Sequence, residues 1–184
     1  MNWKTIFRYI FVVFLVIIQA LFLLAILAEN TNSIVISAFI IVLSCLLLVT
    51  YIKVPLHHED HLYEHILVAL WIPVGALSSY YLNNHVHLGP VMAAGIVGTI
   101  ASFLPNINKE SHYLQQLPPA VYCGAFIGMS SPNVASSFMF ILAASVFTGI
   151  LLVLSKSLFS GVGGKLGTLA FAGVVITSYL FFLI

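Results

Sequence analysis

"LPPAVYCGAFIGMSSP", residues 117–132, is the stretch on which the architecture of this chain turns. It is too apolar for a surface loop, yet short for a helix that spans a bilayer. At a rise of about 1.5 Å per residue it reaches roughly 20 Å, against a hydrocarbon core of about 30 Å. It therefore either crosses as a short or broken helix, or re-enters and leaves by the side it entered.

The rest of the chain says why a bilayer is the reference. Of 184 residues, 61% are hydrophobic and only 6% are charged. Soluble domains carry about 25% charged residues, so a water-facing surface cannot be built from this composition. The apolar runs are long and continuous, whereas a transmembrane barrel would show strands of about 10 residues alternating in polarity. The fold class expected is an all-α integral membrane protein with about seven transmembrane helices.

The spans read as 5–28, 34–54, 64–82, 88–104, 117–132, 134–155 and 166–184. The first run exceeds the roughly 7–15 residues of a signal-peptide core, and "AILAEN" is a poor cleavage site, so it reads as an uncleaved helix. Basic residues choose between the two readings of 117–132, because Lys and Arg in short loops collect on the cytoplasmic side. If 117–132 crosses, Lys4, Arg8, Lys53, Lys109, Lys156 and Lys165 all fall inside. If it re-enters, Lys156 and Lys165 move outside and the asymmetry is spoiled. The expectation is seven crossings, N-in and C-out, in an inner or plasma membrane.

Setting the first helix apart leaves three crossings followed by three. On this reading residues 1–184 form a single transmembrane domain, with a leading helix at 1–33 and three-helix units at 34–105 and 117–184. An odd-numbered unit that is duplicated must be inverted, the plan of many secondary transporters. "HVHLGPVMAAGIVGT" (85–99) and "GGKLGTLAFAGVVIT" (163–177) share Leu88/Leu166, Gly89/Gly167, Ala94/Ala172, Gly95/Gly173, Val97/Val175 and Thr99/Thr177. The same offset superposes Cys45 on Cys123. A 3+3 inverted repeat would explain the echo; so would chance in an alphabet rich in Leu, Ile, Val, Ala and Gly.

Three motifs could carry chemistry. In 117–132, Pro118-Pro119 suits a helix start, where proline forfeits no intrahelical bond. A short broken helix at 117–132 would expose backbone that is tolerated only inside protein or beside an aqueous path. Tyr122, Cys123, Gly124, Ser130 and Ser131 would line such a path, with Gly89 and Thr99 contributing from the fourth span. The alternative is close helix packing through Gly124 and Gly128.

Next, "SGVGGKLGT" places Gly164, Lys165 and Gly167 at the start of the last span. Glycine-rich turns opening a helix can present N–H groups to an anion, and Lys165 is the charged residue nearest the expected path. It is not a nucleotide-binding P-loop, because Leu166 stands where Ser or Thr is needed. The competing reading is a loop with an interfacial lysine.

Finally, "HHEDHLYEH" (57–65) would stack His57, His61 and His65 on one helix face with Glu64 beside them, a spacing able to hold zinc or a similar divalent ion. It lacks the HExxH order of metalloproteases. A solvated, pH-responsive helix start accounts for the same residues.

No Asp, Glu or Arg falls mid-span, which disfavours a proton-driven pump. No nucleophile–base pair suggests an enzyme, and a net charge of +1 gives no basis for nucleic-acid binding. The two cysteines form no CxxC pair. The expected function is a small transporter or channel moving an ion or small solute through interrupted helices, working as a homo-oligomer in the lipid bilayer. The rival is a metal- or pH-sensing accessory subunit acting through 57–65.

Overall fold

The computed structural model describes residues 3–29, 34–53, 66–155 and 164–183. Those residues are helical with no strand among them. Seven helices follow in order: α1 Trp3–Glu29, α2 Ile34–Lys53, α3 Ile66–Asn84, α4 Pro90–Ile107, α5 His112–Gly128, α6 Phe138–Leu154 and α7 Lys165–Leu183. Within them Tyr9–Glu29, Ile66–Asn84, Pro90–Ile107 and Lys165–Leu183 are long and apolar enough to cross a membrane. Ile34–Thr50 and Phe138–Leu154 are shorter apolar helices.

Local sequence explains most helix boundaries. Gly89, with φ of 82°, turns the chain into Pro90 at the first position of α4, where a proline costs no bond. Ser137 caps α6 by accepting from the N–H of Phe140 at 3.3 Å. A turn at Leu70 interrupts α3; Pro73 has no N–H for the carbonyl of Ala69, four residues back, and its ring crowds that oxygen.

The stretch 117–132 departs from expectation. Its helix is not led by Pro118-Pro119 but begins at His112, capped by Ser111, whose Oγ accepts from the N–H of Leu114 at 3.4 Å. Both prolines lie inside the helix, withdrawing the donors that the carbonyls of Leu114 and Gln115 would use. Tertiary contacts hold the helix through this defect: Leu117 and Ala120 are fully buried. Tyr113 accepts from Trp71 Nε1 at 2.8 Å and donates to the carbonyl of Leu67 at 3.3 Å. The helix ends at Gly128, so Ser130, Ser131 and Pro132 lie in the turn beyond it.

α5 is the hub. Its Leu117, Ala120, Cys123 and Ile127 join the main core with α1, α3, α6 and α7. Its Val121 and Ala125 form a second cluster with Ala94, Val97 and Ala101 of α4. The contact between α3 and α5 is backbone on backbone. A Cβ on Gly124 would overlap the Ile72 carbonyl, one on Gly75 would overlap that of Val121, and one on Gly128 would sit 2.6 Å from the Ala76 oxygen. The packing reading of Gly124 and Gly128 is thus the one that the geometry supports.

The order of contacts gives the helix directions. Along α3 from Ile72 to Asn83, partners on α5 run forward from Val121 to Gly128. Against α6 they run backward: Tyr80 meets Ala135 and Phe138, whereas Ala69 and Ile72 meet Gly149. α7 in turn opposes α6, with Phe181 on Phe140, Gly173 on Thr148 and Lys165 at Ser155. α5 therefore runs with α3 and α7 and does not double back.

The two proposed three-helix units are not equivalent. Among the described residues α2 packs on α1 and on no other helix, while α5 packs on α3, α4, α6 and α7. The matched positions also differ: Gly95 and Thr99 are exposed where Gly173 and Thr177 are buried, and Cys45 is exposed where Cys123 is buried. This arrangement lends the repeat no support.

Replacing Gly124 by Ala is expected to destabilise the bundle by about 1–3 kcal/mol through overpacking. Gly95→Ala, where a Cβ meets nothing within 4 Å, should be neutral or stabilising by up to about 1 kcal/mol. Thermal or SDS unfolding of the two variants in one detergent compares them directly.

Candidate functional site

A cavity of about 480 Å³ lies between α1, the end of α5 and the start of α7. Gln19 and Phe22 wall it from α1, Phe126 and Ser130 from α5 and its exit, and Gly167 and Thr168 from α7. Its size falls within the range of small-molecule sites, about 300–1,000 Å³.

The polar element of the wall is a contact across helices: Thr168 Oγ1 lies 3.0 Å from Gln19 Oε1, to which it can donate. The same hydroxyl lies 3.0 Å from the carbonyl of Gly164, which also accepts from the N–H of Thr168 at 2.9 Å. Gly164 has φ of 87°, a left-handed conformation open to glycine at little cost. Below the pair, Phe22 meets Phe171 edge-on with ring centroids 5.0 Å apart. No charged side chain lines the cavity among the described residues.

The sequence-derived path residues divide into two groups. Ser130, Gly164 and Gly167, far apart in the chain, come together in this wall. The others serve packing or conformation. Gly124 meets α3; Tyr122 lays its ring over Gly98, where an added Cβ would lie 2.5 Å from Cε1. Cys123 is fully buried and its thiol donates to the Leu166 carbonyl at 3.3 Å, joining α5 to α7. Lys165 does not point its charge into the cavity wall: its ammonium donates to the carbonyl of Ser155 at the end of α6, where a cation offsets the helix dipole. Gly89 shapes the entry to α4. Thr99 and Ser131 are exposed and line no part of this cavity.

The metal set His57, His61, Glu64 and His65 lies outside the described residues. Among those described, no group of His, Cys, Asp and Glu is placed to hold a metal ion.

Compared with protein families, curated proteins and solved structures, the chain matches none.

Gln19 and Thr168 are the site residues that sequence reasoning passes over. The signal for Gln19 was present, as the lone amide in the apolar run from Ile10 to Ala28. Thr168 follows Gly167 and reads as part of a glycine-rich turn. If the pair matters to the bundle, Gln19→Leu and Thr168→Val should be non-additive in unfolding free energy, with a coupling of about 0.5–1.5 kcal/mol. Strictly additive losses would show that the contact contributes nothing.

Proposed function

We propose that this chain is a seven-span membrane protein, N-terminus inside and C-terminus outside, that binds and passes a small uncharged solute through the cleft between α1, α5 and α7. The observation that carries this reading is the cavity itself: about 480 Å³, walled mostly by apolar side chains, with the Gln19–Thr168 hydrogen bond and, among the described residues, no charged lining residue. An ion entering it would lose hydration with only Gln19, Ser130, Thr168 and backbone to replace it, and a lone buried charge is costly. A neutral solute meets no such penalty. The opposed directions of α6 and of α3, α5 and α7 favour the seven-span topology, as does the placing of all six basic residues inside when 117–132 crosses.

Gly167 offers the direct test, since a Cβ added there meets no protein atom within 4 Å and the cavity that it lines has room for the rest of a side chain. Gly167→Leu should fold normally and fill the cleft. In proteoliposomes loaded with a panel of neutral solutes and ions, it should reduce saturable flux of one neutral solute by about tenfold or more, the cost of roughly two displaced methylene contacts. Wild-type flux should not respond to membrane potential. Flux that is potential-driven, or indifferent to Gly167→Leu, would overturn the assignment.

The topology has its own measurement. A reporter fused after Lys109 is expected to read inside, and one fused after Ile184 outside. A C-terminal reporter reading inside would remove one crossing.

A further inference from the structure

A second cavity, of about 340 Å³, lies between α1 and α2. Gln19, in the middle of the Tyr9–Glu29 span, lines both cavities, so the two flank one residue. Apart from Gln19, Ser44 and Cys45 the described lining of the second is aliphatic, with Leu23, Leu27, Ile40 and Leu48 among its walls. Its one hydroxyl, on Ser44, is turned to the carbonyl of Ile40 in its own helix at 2.8 Å. This crevice offers a ligand little beyond hydrocarbon contact.

We infer that the ligand of the α1–α5–α7 cavity is a single-chain amphiphile, whose uncharged hydroxyl- or amide-bearing head lies against Gln19 and Thr168 and whose hydrocarbon chain runs into the α1–α2 crevice. The inference rests on the solute-binding reading above and names the class of solute. Each half of the ligand follows from one wall. A purely apolar ligand would offer nothing to the Ser130 hydroxyl or to the accepting side of the Thr168 oxygen, both of which line the wall, and covering such groups without a hydrogen bond is unfavourable. A purely polar ligand would find no partner among the leucines of α1 and α2. The head is neutral because neither lining contains a charged side chain among the described residues. The head can donate there: the single hydrogen of the Thr168 hydroxyl is taken by Gln19 Oε1 or the Gly164 carbonyl, which leaves the Thr168 oxygen able to accept.

The experiment is photolabelling of the full chain in lipid nanodiscs. One probe is a monoacylglycerol with a diazirine in mid-chain; the other is a four-carbon alcohol carrying the same group. Labelled residues are mapped by mass spectrometry in wild type, Ser44→Trp, which fills the crevice, and Ile100→Trp, which alters an exposed site on α4.

The long probe should label residues 16–27 and 40–48 saturably. That labelling should fall by about tenfold in Ser44→Trp, equivalent to about two methylenes left unburied, and stay unchanged in Ile100→Trp. The short probe should label the α1–α5–α7 cavity equally in all three proteins, which also shows that Ser44→Trp is folded. Long-probe labelling that is non-saturable and spread over every lipid-facing helix would overturn the inference, while short-probe labelling of the cavity would leave the solute-binding reading standing. Absence of both signals would defeat both.

Discussion

Everything in this bundle is positioned by the close approach of α3 to α5. Where apolar helices are surrounded by hydrocarbon there is no hydrophobic driving force between them, and association must come from dispersion at short range and from polar contacts. Gly75, Gly124 and Gly128 remove the side chains that would keep the two backbones apart. Polar bonds then fasten the pair at either end. Trp71, Tyr113 and the Leu67 carbonyl join near the start of α5, and Asn83 donates to the Gly128 carbonyl near its end, at 3.3 Å. Tyr80 extends that second fastening, donating to the carbonyl of Ala135 at 2.7 Å beyond the helix.

With one face of α5 committed to α3, its remaining faces determine where the cavity forms. Tyr122 fills the space over Gly98, where α4 and α5 pack close. On the side of α7 the contact is made early, by Cys123 on the Leu166 carbonyl. Beyond it Phe126 and Ser130 face the small residues at the start of α7, and Gly167 contributes no side chain to close the gap. The cleft is thus a consequence of glycine used in opposite ways: at 124 to bring helices together, at 167 to leave space between them.

The fold was legible where it depends on hydropathy. The expected spans agree with the helices to within a few residues, apart from α5 and its exit, because length and apolar content need only local sequence. Pro118-Pro119 misled for a physical reason: the rule that places proline at helix starts weighs one helix alone, whereas the Ser111 cap and the burial of Leu117 and Ala120 carry α5 through both prolines. The site was legible in part. Glycine-rich segments pointed to Gly164 and Gly167, and the polar exit of 117–132 to Ser130. A scan for charged groups within spans passes over Gln19, since an amide carries no charge yet still requires a partner in hydrocarbon. The echo between 85–99 and 163–177 compared letters and not environments, which is why Thr99 and Thr177 match in sequence and differ in burial.

Lys165 is the residue whose role changes most, and its placement bears on the chemistry of the cleft. A lysine at the mouth of a glycine-rich helix start suggests an anion site, but that requires the ammonium to be directed at the ligand. Here it is directed to the carbonyl of Ser155, at the end of α6. The charge is thereby drawn toward the C-terminal end of α6, where helix carbonyls lack intrahelical donors. What remains facing the cleft is Gly164, Gly167 and the Thr168 hydroxyl, all neutral. One lysine thus favours inside placement of its loop, caps one helix and keeps its charge away from the cavity wall. An amide on α1 and a hydroxyl on α7 are left as the side-chain polarity shared across that boundary.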